Sequence, residues 1–323
     1  MTRENRILLL LAALVLLTFL AALRLGSLNL STLEVWQGLW NDQHDQHFTV
    51  WNNRLPRALL AIAVGAAAAL AGTIVQGVIL NPLAAPDTLS LNHGASLGAV
   101  LTLMFWPGAP LWALPLVAFV GAAVAFAVLM LVCGRRAGIL QTALIGVALS
   151  ALYAALVDYL MLSRGMEINT AMVWLTGSLW GRSWPFVQIA LPFIILLLPL
   201  ALLAANSLDL LSLGRDKAAS LGLNVPRQRL LLLGLAVLLA AAAVAVAGPL
   251  SFLGLVAPHL ARQLVGGRHR LLLPATMLTG ALILQLSDIA VRIIKPPLEL
   301  PAGIFTALLG APYFFYLLKR RDR

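Results

Sequence analysis

Charged side chains make up only 11% of this 323-residue chain, and lysine is almost missing, with Lys217, Lys295 and Lys319 the only three. None of them follows a glycine, so the chain lacks the Gly-Lys-Ser/Thr with which a phosphate loop sets its lysine on the terminal phosphates of a nucleotide. That excludes a P-loop ATPase. Cysteine is limited to Cys133 in an apolar run, which excludes an internal disulfide and a cysteine metal cluster. Acidic residues are sparse at the centres of the apolar runs: Asp158 and Asp288 fall near run ends, and Asp87 falls in a short turn between runs. Carriers coupled to proton or sodium gradients hold ionisable groups deep in their spans, so ion coupling is disfavoured. The net charge of +10 is spread in small groups between apolar stretches, with no basic face and no aromatic RNA motif, which argues against a nucleic-acid partner.

What the chain has in abundance is apolar surface: 61% hydrophobic residues and a mean hydropathy of +0.94, far outside the soluble range. Runs near the roughly 20 apolar residues needed to cross a bilayer occur at 7–23, 57–80, 89–106, 111–133, 138–162, 186–205, 229–247, 250–265, 271–291 and 302–318. The fold class is therefore an all-α integral membrane protein of about ten helices in one domain, 1–323. The run 250–265 is short and follows Gly248-Pro249 without a polar gap, so a re-entrant segment is its alternative. With ten spans and a cytoplasmic N-terminus, fifteen of the 22 Lys and Arg residues fall on the inner side and seven on the outer, in line with the positive-inside rule. Both termini are then cytoplasmic. Arg3 and Arg6 before an apolar run, with Ala21-Ala22 after it, also fit a signal peptide; the run exceeds a usual signal core, so it reads as a helix.

Between the runs, "NDQHDQHF" places His44 and His47 at a spacing that could hold a metal, but without cysteine or a fixed scaffold it reads as a solvated turn. Trp36, Trp40 and Trp51 suit the membrane interface. Residues 166–181 carry Ile168, Met172, Leu175 and Leu179 at helical spacing and predict a helix along the outer surface, anchored by Trp174, Trp180 and Trp184. The internal loop 206–228 alternates Leu210, Leu213, Ala218 and Leu221 with Arg215, Asp216 and Lys217, and Gly214 and Gly222 each suit the end of a short helix. Two short amphipathic helices on the inner side would dock a separate ATPase; a solvated connector is the alternative.

The strings "NRLPRALLAIAVGAAAALAGTIVQGVILNPLAAPDTLSLNHGASLG" (53–98), "AASLGLNVP" (218–226), "AVAGPLSFLGLVAPHLAR" (245–262) and "ELPAGIFTALLGAPYFFYLL" (299–318) resemble the FecCD-type permeases, over essentially the whole chain and in order. These are membrane subunits of ATP-driven bacterial importers for iron–siderophore complexes, haem and vitamin B12. "LVDYLMLSR", "WLTGSLWGRSW" and "KPPLELP" look most like the ferric dicitrate members. The resemblance implies a type II ABC importer permease fold in the bacterial inner membrane, with a second permease subunit, two ATP-binding subunits below and a periplasmic binding protein above. It implies that the chain is no enzyme and binds no cofactor, ATP and Mg²⁺ being used by the partner. Ferric dicitrate is the expected cargo, with another siderophore, haem or cobalamin as the alternative and a gradient-driven carrier as the rival class.

The resemblance also gives residues their roles. Arg215, Asp216, Ala218, Ala219 and Gly222 match the ATPase-coupling loop, although Asp216-Lys217 departs from the usual acidic-alanine wording. Arg54, Arg57 and Arg292 match the arginines that receive acidic residues of the binding protein. Arg54 and Arg57 flank Pro56 at a helix start, where the dipole repels cations, with membrane-interface anchoring as the alternative; Arg292 follows Asp288 by four residues and has a local partner for its charge. Gly72 to Pro82 and Gly248 to Pro258 are both ten residues apart, hinting at an inverted repeat with Asn81, Pro82 and Pro258 at a gate or bend. His93 and His259 sit beside these breaks, but an importer of an already chelated metal has no use for strong ligands, and no metal site is expected.

Overall fold

The computed structural model describes residues 2–106, 108–110, 112–134, 139–163, 174–294 and 300–321, and the regular elements among them are all helical. α1 (Arg3–Arg24) is followed by α2 (Thr32–Trp40) and a π-helical turn, Phe48–Arg54, that runs unbroken into α3 (Leu55–Ile79). A 3₁₀ turn (Pro86–Leu89) leads to α4 (Leu91–Phe105), α5 (Ala113–Cys133) and α6 (Ile139–Ser163). The second half holds α7 (Trp184–Leu203), the short α8 (Ala205–Ser212) and α9 (Arg215–Ser220), α10 (Val225–Ala247), α11 (Leu253–Val265), α12 (His269–Ile294) and α13 (Ala302–Arg321). Each of the ten expected runs holds one of the longer helices. Among the described residues seven helices are long and apolar enough to cross a bilayer; α4 and the Ala302–Tyr313 stretch are shorter, and α11 has 13 residues.

The bundle has two ends. At the arginine face, the end of α1 packs with Val50, Ala58 and Ile289. At the short-helix face, Leu11, Val265 and Leu272 pack together, and α8 and α9 lie beside the start of α12. α3 runs between them as the central helix: 83% of its apolar window is buried, against 11% for α6. Its sequence explains the position. Small residues between Gly65 and Gly72 let neighbouring backbones approach where a side chain would hold them off. A Cβ on Gly65 would stand 2.5 Å from the Gly280 carbonyl of α12, and one on Gly72 would stand 1.7 Å from the Gly254 carbonyl of α11.

That second contact has a chemical cause in Pro258. Proline has no N–H for the carbonyl four residues earlier, and that carbonyl is Gly254's. The freed oxygen is lodged against the bare Cα of Gly72, where a C–H···O contact partly replaces the lost bond. α11 continues through Pro258 without breaking. Pro82 is placed differently, outside any helix, in a turn after left-handed Leu80 (φ 53°) that Asn81 closes by accepting the Leu83 N–H at 3.0 Å. The two Gly-to-Pro spacings are thus not equivalent, since Gly72 is helical and Gly248 has φ 72° at the end of α10.

A repeat exists at other positions. α4 begins after left-handed Ser90 (φ 61°) and α11 after left-handed Phe252 (φ 63°). Both starts lie at mid-depth. Gly94 abuts Gly121 and Ala125 at the middle of α5, the Ser150 hydroxyl from the middle of α6 donates to the Asp87 carbonyl at 3.0 Å, and Gly254 faces Ala68 and Gly72 at the middle of α3. From there α4 runs to the arginine face and α11 to the short-helix face. Asp87 therefore sits at mid-depth, not in a turn at the end of a span, because residues 80–86 climb back from the end of α3 as non-helical chain. Composition alone does not separate such a return from an ordinary loop.

Gly72→Ala should lower the thermal midpoint of the purified protein sharply, by overpacking worth about 1–3 kcal/mol or more. Gly234→Ala, with nothing within 4 Å of the added methyl, should leave the midpoint unchanged or slightly raised; equal midpoints for the two variants would refute the close approach.

Candidate functional site

At the arginine face the structure brings Arg54, Arg57 and Arg292 together, all buried with 5–7% exposure. The helix they start is longer than the sequence pattern indicates, since the π-turn Phe48–Arg54 precedes Pro56. The Leu55 N–H bonds to Val50, five residues back, and the wider register accommodates the proline that follows. Arg54 reaches the end of α1, where its guanidinium donates to the carbonyls of Leu23 (2.9 Å), Arg24 (2.7 Å) and Leu28. The Arg292 Nη1 donates to the Ala22 carbonyl at 3.1 Å. The last carbonyls of α1 have no partners within their helix, and these two cations supply them at the end where the dipole favours positive charge. Arg57 donates through Nε to Asp288 Oδ1 at 2.9 Å, and Arg292 Nε lies 3.3 Å from Oδ2 of the same carboxylate.

The expected partner of Arg292 is therefore present, but it is shared with Arg57 from another helix. A spacing argument along one helix could not show that. Another cation was missed by sequence reasoning. Arg182 donates through Nε to the Val246 carbonyl at the end of α10 and lies over the Phe186 ring, 4.5 Å from its centroid. Burial pushes its pKa down to about 10, which leaves it charged near neutral pH. It belongs to a strap, residues 174–183, in which Ser178 N–H donates to Ala247 O at 2.6 Å and Gly303 N–H to Gly177 O at 2.8 Å.

The expected outer helix 166–181 falls partly outside the described residues, which begin again at Trp174. From Thr176 onward the segment is not helical, because Gly177 (φ 75°) and Gly181 (φ 69°) turn it. Trp174 is buried and only Trp180 is largely exposed. Trp184 donates its indole N–H to the Trp51 carbonyl at 2.9 Å, and the two rings lie 5.2 Å apart.

Between the two mid-depth helix starts lies a cavity of about 230 Å³, lined by Asp87, Asn92, Ala243, Ser251, Phe252 and Gly254 among others. The Asn92 amide donates to the Asp87 carboxylate. Non-helical backbone at membrane depth persists only where protein buries it or a watery cavity borders it, and both conditions are met here. Asn81 and Pro82 at the end of α3 and Pro258 inside α11 are not gathered at one point. His259 lies edge-on to Tyr313, with ring centroids 5.6 Å apart, and among the described residues no three His, Cys, Asp or Glu side chains converge.

At the short-helix face, α8 and α9 are the two short helices that the glycine spacing predicts. Gly222 (φ 87°) closes α9 in a double bond pattern, with Gly222 N–H to Ala219 O at 2.9 Å and Leu223 N–H to Ala218 O at 3.1 Å. Arg215, Asp216, Lys217, Ala219 and Gly222 are exposed, Ala218 is buried against the bundle, and Leu213 and Leu221 present exposed apolar surface. This is a small surface with charge and grease intermixed, held on a rigid turn.

Removing the shared carboxylate leaves two buried guanidinium groups without it. Asp288→Ala should therefore destabilise the folded protein by about 3–5 kcal/mol, read as loss of thermal midpoint or of monodisperse material in detergent. A midpoint equal to wild type would show that the carboxylate does not hold this face.

Comparison with known proteins agrees with this architecture. The FecCD transport family profile matches residues 14–320. The chain is 50% identical over 305 residues to the Fe(3+) dicitrate transport system permease protein FecD of Escherichia coli (strain K12), covering 93% of this chain and 96% of that one. It is 44% identical over 317 residues to the Fe(3+)-citrate import system permease protein YfmE of Bacillus subtilis (strain 168), covering 98% and 95%. A solved metal-chelate type ABC transporter in an inward-facing conformation superposes with a TM-score of 0.88 at 32% identity, covering 98% of this chain and 99% of that one. With its helices, its broken spans and nearly its whole length accounted for, the chain belongs to the FecCD transport family of ABC permeases.

Proposed function

We propose that this protein is the transmembrane permease subunit of an ABC importer that moves ferric dicitrate across the bacterial inner membrane. The observation that carries the cargo is the 50% identity to a ferric dicitrate permease across 93% of the chain. In this reading the short-helix face and both termini are cytoplasmic and the arginine face is periplasmic. The chain hydrolyses nothing. ATP and Mg²⁺ are handled by two ATP-binding subunits that press on α9 through Arg215, Asp216, Ala219 and Gly222, with Ala218 fixing the helix to the bundle. A second, paralogous permease subunit completes the pathway.

The periplasmic binding protein docks on the arginine face. Arg54, Arg57 and Arg292 serve docking by fixing the rim, since each guanidinium is engaged within the bundle. Arg24, exposed beside them, is the cation placed to meet a carboxylate directly. The pathway bends where Asn81-Pro82 turn the chain after α3 and where Pro258 removes a helix bond inside α11, and the mid-depth cavity marks the place where the two half-helices change relation to each other.

The test is uptake of labelled ferric citrate by vesicles holding the assembled importer, its binding protein outside and ATP inside. Uptake should need both ATP and the binding protein and should survive collapse of the membrane potential. Gly222→Val, which forces a β-branched side chain into a left-handed position, should leave ATP hydrolysis but abolish most uptake. Uptake driven by an ion gradient without ATP would overturn the proposal, and preference for haem or cobalamin over ferric citrate would reassign the cargo.

A further inference from the structure

α12 has a charged contact at each end. At the arginine face Asp288 and Arg292 tie it to α3 and α1. At the short-helix face its first residue, His269, is tied to α8: Asp209 Oδ1 accepts both the His269 backbone N–H at 3.0 Å and the ring Nδ1–H at 2.7 Å. The His269 side chain is 6% exposed and that of Asp209 41%. The ring also packs on α3, where a Cβ on Gly77 would come within 3.3 Å of its Nε2. Three helices thus meet at one imidazole. α8 is held a second time by Gln228 of α10, whose amide donates to Ser207 at 2.7 Å.

Between the two tied ends α12 runs as one continuous helix, although Pro274, in its second turn, lacks the N–H that would bond the Arg270 carbonyl. From His269 to Asp288 it covers 19 steps, about 29 Å at the α-helical rise. Midway it is locked to α3 by reciprocal backbone contact at Gly65 and Gly280, with no side chain between to absorb movement. Thr18 of α1 donates to Gln285 at 2.7 Å nearer the arginine face. A displacement of α9 reaches α8 through the two-residue link Leu213-Gly214, and α8 meets the first turn of α12 at Asp209, whose one oxygen takes both hydrogen bonds. We propose that Asp209 and His269 are positioning residues that couple the short helices to α12, and that α12 carries the displacement to the arginine face. The inference rests on the importer reading, in which those two faces meet the ATPase and the binding protein.

The experiment uses the complete importer in vesicles and measures the ratio of ATP hydrolysis with cargo-loaded binding protein to hydrolysis without it. Asp209→Asn keeps the size and one acceptor oxygen but removes the charge, and His269→Gln keeps a donor without the ring. Each should lower the stimulation ratio by up to about tenfold, the scale of a charge-assisted hydrogen bond, and the double variant should do no more than either single one. Asp209→Glu should recover part of the ratio. An unchanged ratio in both single variants, or additive losses in the double, would overturn the proposal. Failure of both to assemble would also overturn it, by making the pair a folding clamp. Uptake by the wild-type importer separates the two levels: if ferric citrate, haem and cobalamin all fail to enter with ATP, the importer reading falls, and if one enters with unaltered ratios only the link through Asp209 and His269 falls.

Discussion

The end of α1 sets the problem that the arginine face solves. The carbonyls of its last turn have no partners within the helix; the Leu30 N–H returns to that of Arg24 at 3.0 Å, and arginine side chains donate to those of Ala22, Leu23 and Arg24. Arg54 and Arg292 supply donors that stay charged and can fork between several oxygens. Each brings a positive charge into an apolar setting, and that charge needs an answer within reach. Asp288, one turn before Arg292 and facing Arg57 across the helix boundary, supplies it to those two, while Arg54 is met by backbone carbonyls at the end of α1. α1, α3 and α12 are joined at this end by one set of polar contacts, so the separation of the three helices is fixed by bond lengths more than by side-chain packing. The dipole penalty expected for two arginines at a helix start does not arise, because the π-turn carries the helix back to Phe48 and leaves Arg54 and Arg57 beyond its first turn.

Glycine and proline set the middle of the bundle in the same way. Pro258 releases the Gly254 carbonyl, and only a residue without a side chain at 72 lets that oxygen be buried by close backbone contact. A proline in one helix and a glycine in another form a single device, although they stand 186 positions apart in the chain. The unwound stretches before α4 and α11 extend the logic. Their backbone groups lie at membrane depth, where each unmet one costs several kcal/mol; the Asp87 carbonyl is met by the Ser150 hydroxyl, and the cavity borders both stretches. Two half-helices of opposite direction starting from one mid-depth point give the molecule an inverted pair that the sequence repeats only faintly.

Much of this was legible in the residues. Ten apolar runs locate the longer helices because hydrophobic length is dictated by the bilayer and is local in sequence. Gly214 and Gly222 mark the short helices because a positive φ is a property of one residue. The pairing of Asp288 with Arg292 was visible because helical periodicity brings residues four apart to one face. What was not legible depends on contacts between distant segments: Arg57 taking the same carboxylate, Arg54 serving α1, Arg182 serving α10, and Asp87 rising to mid-depth. The expected outer helix stops at Leu175 for a reason of the same kind. Apolar residues at 175 and 179 keep helical spacing, but Gly177 between them is turned by its bond to Gly303 and its close approach to Pro249.

These contacts divide the molecule into a stiff part and a part able to change. α3, α11 and α12 touch through bare backbone at Gly65, Gly72, Gly254 and Gly280, and surfaces that fit this closely do not deform gradually; they move together or exchange one packed arrangement for another. The half-helix starts differ, with non-helical chain on one side and a cavity on the other. A rearrangement that opens one side of the membrane and closes the other then carries α11 with the glycine-packed block, and the non-helical chain before α4 is where the rest of the bundle is free to change relation to it. Left-handed backbone at two non-glycine residues stores strain of about 1–3 kcal/mol each. Both strained residues stand beside non-helical chain that borders the mid-depth cavity.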